Sequence, residues 1–185
     1  MKRSSIIIIF ALLIVAFFCH DTYALSLSRG MTPPKLIQGV GVFGSYNMPG
    51  SEIDTKYDSA SSFGLKLDLY YINVGMFEIS YKDVDFNRKK KNDLSMDCIN
   101  LNMVLSPFLW TIRSAKPYIS VGTGMYMPDR GSSRPGLNAG AGMLLPIKKY
   151  KRGSILLGLT GYYHHVIDSE LDFYELRTGI NYWFD

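Results

Sequence analysis

Cysteine is nearly absent from this 185-residue chain, which contains only Cys19 and Cys98. Cys19 falls in a leader expected to be removed, so Cys98 is left alone and no intramolecular disulfide can form in the exported product. Long hydrophobic runs are missing after Phe18. No later segment approaches the roughly 20 apolar residues of a spanning helix, which excludes a helical-bundle membrane protein. A barrel is not excluded, because its strands alternate in short segments that hydropathy windows overlook. A large excess of one charge is also lacking: the formal net charge is +4. No basic stripe interleaves with exposed aromatics, so nucleic acid is not an expected partner. The mild basicity suits weak contact with anionic lipid headgroups.

The N-terminus sets the compartment. Lys2 and Arg3 precede an apolar run of 13 residues from Ile6 to Phe18, followed by the small-residue cleavage pattern Thr22-Tyr23-Ala24. This is the layout of a secretory signal over residues 1–24, too short and wrongly flanked for an anchor. Acylation at Cys19 would want a small residue before it, and Phe18 stands there. Losing Lys2, Arg3 and Asp21 with the leader takes the net charge from +4 to +3. Residues 25–35 read as a periplasmic lead-in ended by Pro33-Pro34, which suits neither a helix nor a central strand. Residues 36–185 form one domain by length.

From there the period is two, not 3.6. Phe63, Leu65, Leu67, Leu69 and Tyr71 oppose Gly64, Lys66, Asp68 and Tyr70. Ile99, Leu101, Met103 and Leu105 oppose Cys98, Asn100 and Asn102. The same alternation runs through 117–127, 136–145 and 155–164, and less cleanly through about 36–46 and 74–82. With the final segment, the expected fold is all-β: an eight-stranded antiparallel up-and-down transmembrane barrel. Its connections at 47–61, 83–93, 128–135 and 165–172 are polar or charged, including Arg88-Lys89-Lys90-Lys91. Those at 72–73, 107–116 and 146–153 read as short to medium, the asymmetry of an outer-membrane barrel. The face opposite the apolar one carries Lys66, Asp68, Glu78, Lys82, Asn100, Asn102, Glu175 and Arg177. A soluble barrel of this size buries apolar side chains inside, so here the apolar face must point outward into lipid. Tyr70, Tyr71, Phe108, Trp110, Tyr150, Tyr182, Trp183 and Phe184 are then expected in an inner aromatic girdle. Tyr46, Phe63, Tyr81, Phe86, Tyr126, Tyr162, Tyr163 and Tyr174 are expected in an outer one.

In the last segment Tyr174, Leu176, Thr178, Ile180, Tyr182 and Phe184 face one way, and Glu175, Arg177, Gly179, Asn181 and Trp183 the other. The polar-x-Gly-x-x-aromatic-x-aromatic spacing of Arg177, Gly179, Tyr182 and Phe184 resembles the terminal signal read by the barrel-assembly machinery, with Asp185 added after the final aromatic. Together with Lys116-Pro117-Tyr118, Gly122-Thr123-Gly124 and Gly140-Ala141-Gly142, it resembles the small outer-membrane β-barrel superfamily of OmpA- and OmpX-type proteins. That resemblance implies a Gram-negative outer-membrane location with outer-membrane lipid, lipopolysaccharide and, during biogenesis, the assembly machinery as partners. It leaves the activity open, because the superfamily hosts structural, adhesive, transport and enzymatic members.

Each candidate motif has a plainer reading. Gly39-Val40-Gly41-Val42-Phe43-Gly44 matches G-x-G-x-x-G, but no helix follows to receive a pyrophosphate; strand glycines against a crowded lumen explain it better. Lys66, Asp68, Glu78, Lys82, Glu175 and Arg177 form a candidate lumen charge network. An eight-stranded interior is just wide enough for side chains to fill, so ion pairs would plug it; a narrow channel for ions or small solutes is the alternative. His164-His165 with Ser169 and Glu170 suggests a lipid A acyl hydrolase or transferase, which needs base and nucleophile within hydrogen-bond reach. His164 and Thr160 share a face but stand about 13 Å apart along a strand; histidines at the membrane interface are the plainer account. Asp168, Glu170 and Asp172 supply too few oxygens for calcium. Cys98 reads as an inert buried thiol on the lumen face. No catalytic residue, metal or cofactor is assigned. The expected function is a monomeric structural or surface-interaction barrel.

Overall fold

A computed structural model describes residues 37–50, 57–72, 75–87, 94–106, 115–169 and 171–184. The leader, the lead-in and Arg88–Lys91 lie outside the described residues, as do Phe108, Trp110, Glu170 and Asp185. The elements are β1 (Ile37–Pro49), β2 (Ala60–Ile72), β3 (Gly75–Phe86), β4 (Leu94–Leu105), β5 (Lys116–Pro128), β6 (Arg134–Tyr150), β7 (Gly153–Val166) and β8 (Asp172–Phe184). Each pairs antiparallel with the next, and β8 closes on β1 through a continuous register from Gly39↔Trp183 to Pro49↔Phe173. The result is a closed eight-stranded barrel with no open sheet edge. The end where β1 starts and β8 finishes is called the terminal end; the opposite end is the loop end.

The strands alternate because the sequence does. Phe63 is 83% exposed, Leu176 58% and Ile119 57%, while Ser62, Arg177 and Ser120 beside them are buried. The outer wall is therefore apolar and exposed, and the lumen is packed. Large side chains fit inside because glycines on neighbouring strands make room. A Cβ on Gly140 would stand 2.5 Å from the ring of Tyr162, and one on Gly142 2.7 Å from that of Tyr118.

Three layers fill the lumen. At the loop end Val84, Phe86, Met96, Cys98, Tyr126, Val166 and Phe173 form an apolar cluster. At the terminal end Met76, Val104, Tyr118, Leu144, Leu156 and Trp183 form a second. Lys66, Asp68, Glu78, Lys82, Glu175 and Arg177 lie between them.

Three readings of the sequence are corrected. Residues 146–153 are not a loop of medium length: β6 runs to Tyr150 and turns through Lys151 and Arg152 alone. Pro146 is tolerated because the register shifts between Pro146 and Lys148, where a missing N–H breaks no regular ladder. The less regular strands also extend further, to Pro49 in β1 and Phe86 in β3. The girdles are thinner than expected, since Phe86, Tyr126, Tyr162 and Trp183 turn inward as lumen packing. Tyr81 keeps to the outer face but is covered, donating to Asp97 Oδ1 at 2.7 Å. Tyr46, Phe63, Tyr163, Tyr174 and Tyr150 remain exposed on the wall.

Candidate functional site

The middle layer follows from strand parity. Lys66 and Asp68 lie two apart on β2, Glu78 and Lys82 four apart on β3, and Glu175 and Arg177 two apart on β8, so each pair shares the inward face. All six are buried. Lys66 Nζ lies 3.2 Å from Asp68 Oδ1 and donates to Glu78 Oε2 at 2.8 Å. Glu78 Oε1 accepts from Arg177 at 2.9 Å, across the lumen. Arg177 Nε donates to Glu175 Oε1 at 3.0 Å, and Lys82 Nζ reaches Glu175 Oε2 at 2.8 Å. The chain of contacts is thus Asp68, Lys66, Glu78, Arg177, Glu175 and Lys82. Its three cations and three carboxylates formally cancel.

Neutral groups complete it. The Trp183 indole N–H donates to Asp68 Oδ2 at 2.7 Å, and Lys82 donates to Asn47 Oδ1 at 2.6 Å. The Arg177 guanidinium lies 4.0 Å from the Phe43 ring centroid and 4.7 Å from that of Tyr162, held between two aromatic faces. Buried charges are tolerated where each keeps several partners, and removing one partner strands the others.

His164 is placed differently from its reading as an interfacial residue. It is buried in the lumen, with Nε2 2.8 Å from Glu175 Oε2 and Nδ1 2.8 Å from the Tyr126 hydroxyl. Its ring stacks on Phe173 at 4.4 Å. The signal for this was in the sequence: His164 has the parity of Thr160 and Tyr162, both inward. Asn47 carried the same signal, continuing Phe43 and Ser45, but fell in a presumed loop.

Of the residues named for acyl hydrolysis, His164, His165, Ser169 and Thr160 are not brought together, and Glu170 lies outside the described residues. His165 lies on the outer face, with Nδ1 2.8 Å from Asp172 Oδ1. Ser169 Oγ accepts from the Leu171 amide at 3.0 Å. Thr160 shares its hydrogen bond with Tyr118 rather than His164. Asp172 is engaged by His165 and the Tyr163 hydroxyl, and among the described residues no group of three or more His, Cys, Asp or Glu could hold a metal ion. Gly39 and Gly41 face Trp183 and Asn181 inside the barrel, while Gly44 lies beneath Phe63 on the outer wall. Gly179 sits where a Cβ would meet the β1 backbone at 2.6 Å, and Tyr182 and Phe184 meet edge to face with centroids 5.3 Å apart.

At the loop end the lumen opens into a cup of about 540 Å³. Buried Met96, Tyr126 and Val166 line it together with Arg130, Arg134 and Asp168. The turns that shape it use left-handed backbone at Gly131 (φ 115°) and Asp168 (φ 57°), which glycine and aspartate accept readily.

No protein-family model and no curated protein matches the chain. Among solved structures it is similar to Neisserial surface protein A, with a TM-score of 0.55 and 17% identity over 78% of this chain and 95% of that one. It is similar also to the outer membrane protein OprG from Pseudomonas aeruginosa, with a TM-score of 0.50 and 11% identity over 80% of this chain and 93% of that one. At these identities the likeness concerns the fold, and the chain has that of the small eight-stranded outer-membrane barrels.

Proposed function

We propose that this chain resides in a bacterial outer membrane as a structural or surface-interaction barrel whose lumen is shut. The observation that carries this reading is the layered interior: a neutral, multiply bonded charge network closed at each end by an apolar cluster. An ion crossing the barrel would have to leave water, pass one apolar layer, break the network and pass the other, at a desolvation cost of several kcal/mol. A narrow channel is therefore disfavoured. The apolar wall supports residence in lipid, because an exposed surface of this extent in water is an aggregation hazard. Export by a leader at 1–24, recognition by the assembly machinery through Arg177, Gly179, Tyr182 and Phe184, and contact with lipopolysaccharide belong to the same proposal. Among the described residues the loop-end cup is a concave surface open to an external partner.

Among the described residues no serine or threonine hydroxyl lies beside His164 or His165: Thr160 is bonded to Tyr118, and Ser169 to the Leu171 amide. Mass spectrometry of lipid A from cells overproducing the protein should show an unchanged acyl pattern. A new deacylated or acylated species, lost in His165→Ala or His164→Ala, would overturn the non-catalytic reading.

A further inference from the structure

The β6–β7 hairpin has a charge and shape that the sealed lumen does not use. β6 is 17 residues long, and β5 pairs with it only up to Lys116↔Leu144. The hairpin therefore runs past β5 at the terminal end, carrying Lys148, Lys149, Lys151 and Arg152 within five positions, all exposed. Among the described residues none of the four is paired with a carboxylate, and the segment Pro146–Gly153 contains no acidic residue.

The register shift decides where Lys148 and Tyr150 point. Without the bulge at Ile147, strict alternation from buried Leu144 through Pro146 would send Lys148 inward. With it, Lys148 pairs with Ile155, and Tyr150 pairs with Gly153. Ile155 pairs with Tyr182 on the outer wall, so the bulge re-aims Lys148 and Tyr150 outward. There Lys148 lies 5.1 Å from the Tyr150 ring centroid, with Ile147 59% and Tyr150 43% exposed. An apolar residue, an aromatic ring and a cluster of cations at one rim of an apolar wall match the boundary between acyl chains and phosphates.

We infer that the β6–β7 hairpin is a clasp for anionic phospholipid headgroups in the leaflet facing the terminal end. Ile147 and Tyr150 enter the acyl boundary, and Lys148, with Lys151 and Arg152 of the turn, holds the phosphodiester. Lys149, which pairs with Ser154 opposite Trp183, adds its charge from the lumen side of the rim. The inference rests on the membrane reading above. It is selective because a zwitterionic headgroup offers the same phosphate together with an ammonium that the four cations repel.

The full chain refolded in zwitterionic detergent, offered equal amounts of phosphatidylglycerol and phosphatidylethanolamine, should retain phosphatidylglycerol preferentially in native mass spectra. The preference should fall about tenfold or more in the variant Lys148→Gln, Lys149→Gln, Lys151→Gln and Arg152→Gln. It should survive Lys148→Arg, Lys149→Arg and Lys151→Arg, and weaken as salt rises. Equal retention by the native chain, or a preference unchanged in the glutamine variant, overturns the clasp. So does charge-dependent binding to purified peptidoglycan with no lipid preference. The heat-dependent gel shift of a closed barrel is read on the same samples. A native chain that fails to close in detergent or lipid contradicts the membrane reading itself, whereas a closed barrel without lipid preference contradicts only the clasp.

Discussion

Leu176 and Arg177 are adjacent in β8, yet one is 58% exposed on the wall and the other is held among two carboxylates and two rings inside. The whole barrel repeats this contrast. Between its two apolar layers the interior carries the charge usual for a protein surface, and the exterior has the polarity usual for a core. The inner surface is specific: Glu175 is met by Arg177, Lys82 and His164, and no one of these could move without stranding another. In the membrane placement proposed above, the outer surface needs only to be apolar, because fluid acyl chains would conform to whatever shape it presents. Substitutions on the two surfaces should therefore obey different rules.

The largest effect is expected inside. Arg177→Ala leaves Glu78 and Glu175 without their shared cation and should destabilise the barrel by about 3–5 kcal/mol, measured by urea unfolding in micelles. Adding Glu175→Gln should recover part of that loss; strict additivity would show that the two groups do not act together. Next come two substitutions of identical chemistry. Leu144→Ala in the terminal-end cluster should cost about 2–5 kcal/mol, because a packed interior keeps the cavity. Leu176→Ala on the wall should cost only about 1–2 kcal/mol, the transfer share alone, since lipid fills the gap. Equal losses at the two positions would break the comparison. Leu101→Arg, which puts a charge on the exposed wall, should cost about 2–4 kcal/mol in a bilayer. No penalty there would mean that the wall faces water.

The fold was legible because period two repeats through the chain and a one-residue slip would turn every charge outward. Lys66, Asp68, Glu78, Lys82, Glu175 and Arg177 could be put on one face by counting. Their joining across the barrel could not be read, because parity fixes a face and not which residues across the lumen meet at one height. His164 was misread because Tyr162 and Tyr163 precede it and suggested an interface; in the barrel Tyr162 shares its inward face as lumen packing, and only Tyr163 lies on the wall. Pro146 misled in the other direction. A proline looks like the end of a strand, and only the bulge at Ile147 shows that pairing resumes beyond it. The aromatic layers had the same ambiguity, since Tyr126 and Tyr163 have similar sequence surroundings and opposite sides of the wall.

The central claim is that two apolar layers and a neutral charge network shut the lumen. Planar-bilayer recording of the refolded full chain tests it most directly. The account predicts a flat current trace after insertion of native protein, with insertion verified by protease protection in matched vesicles. Reproducible stepwise conductance from the native chain would contradict it.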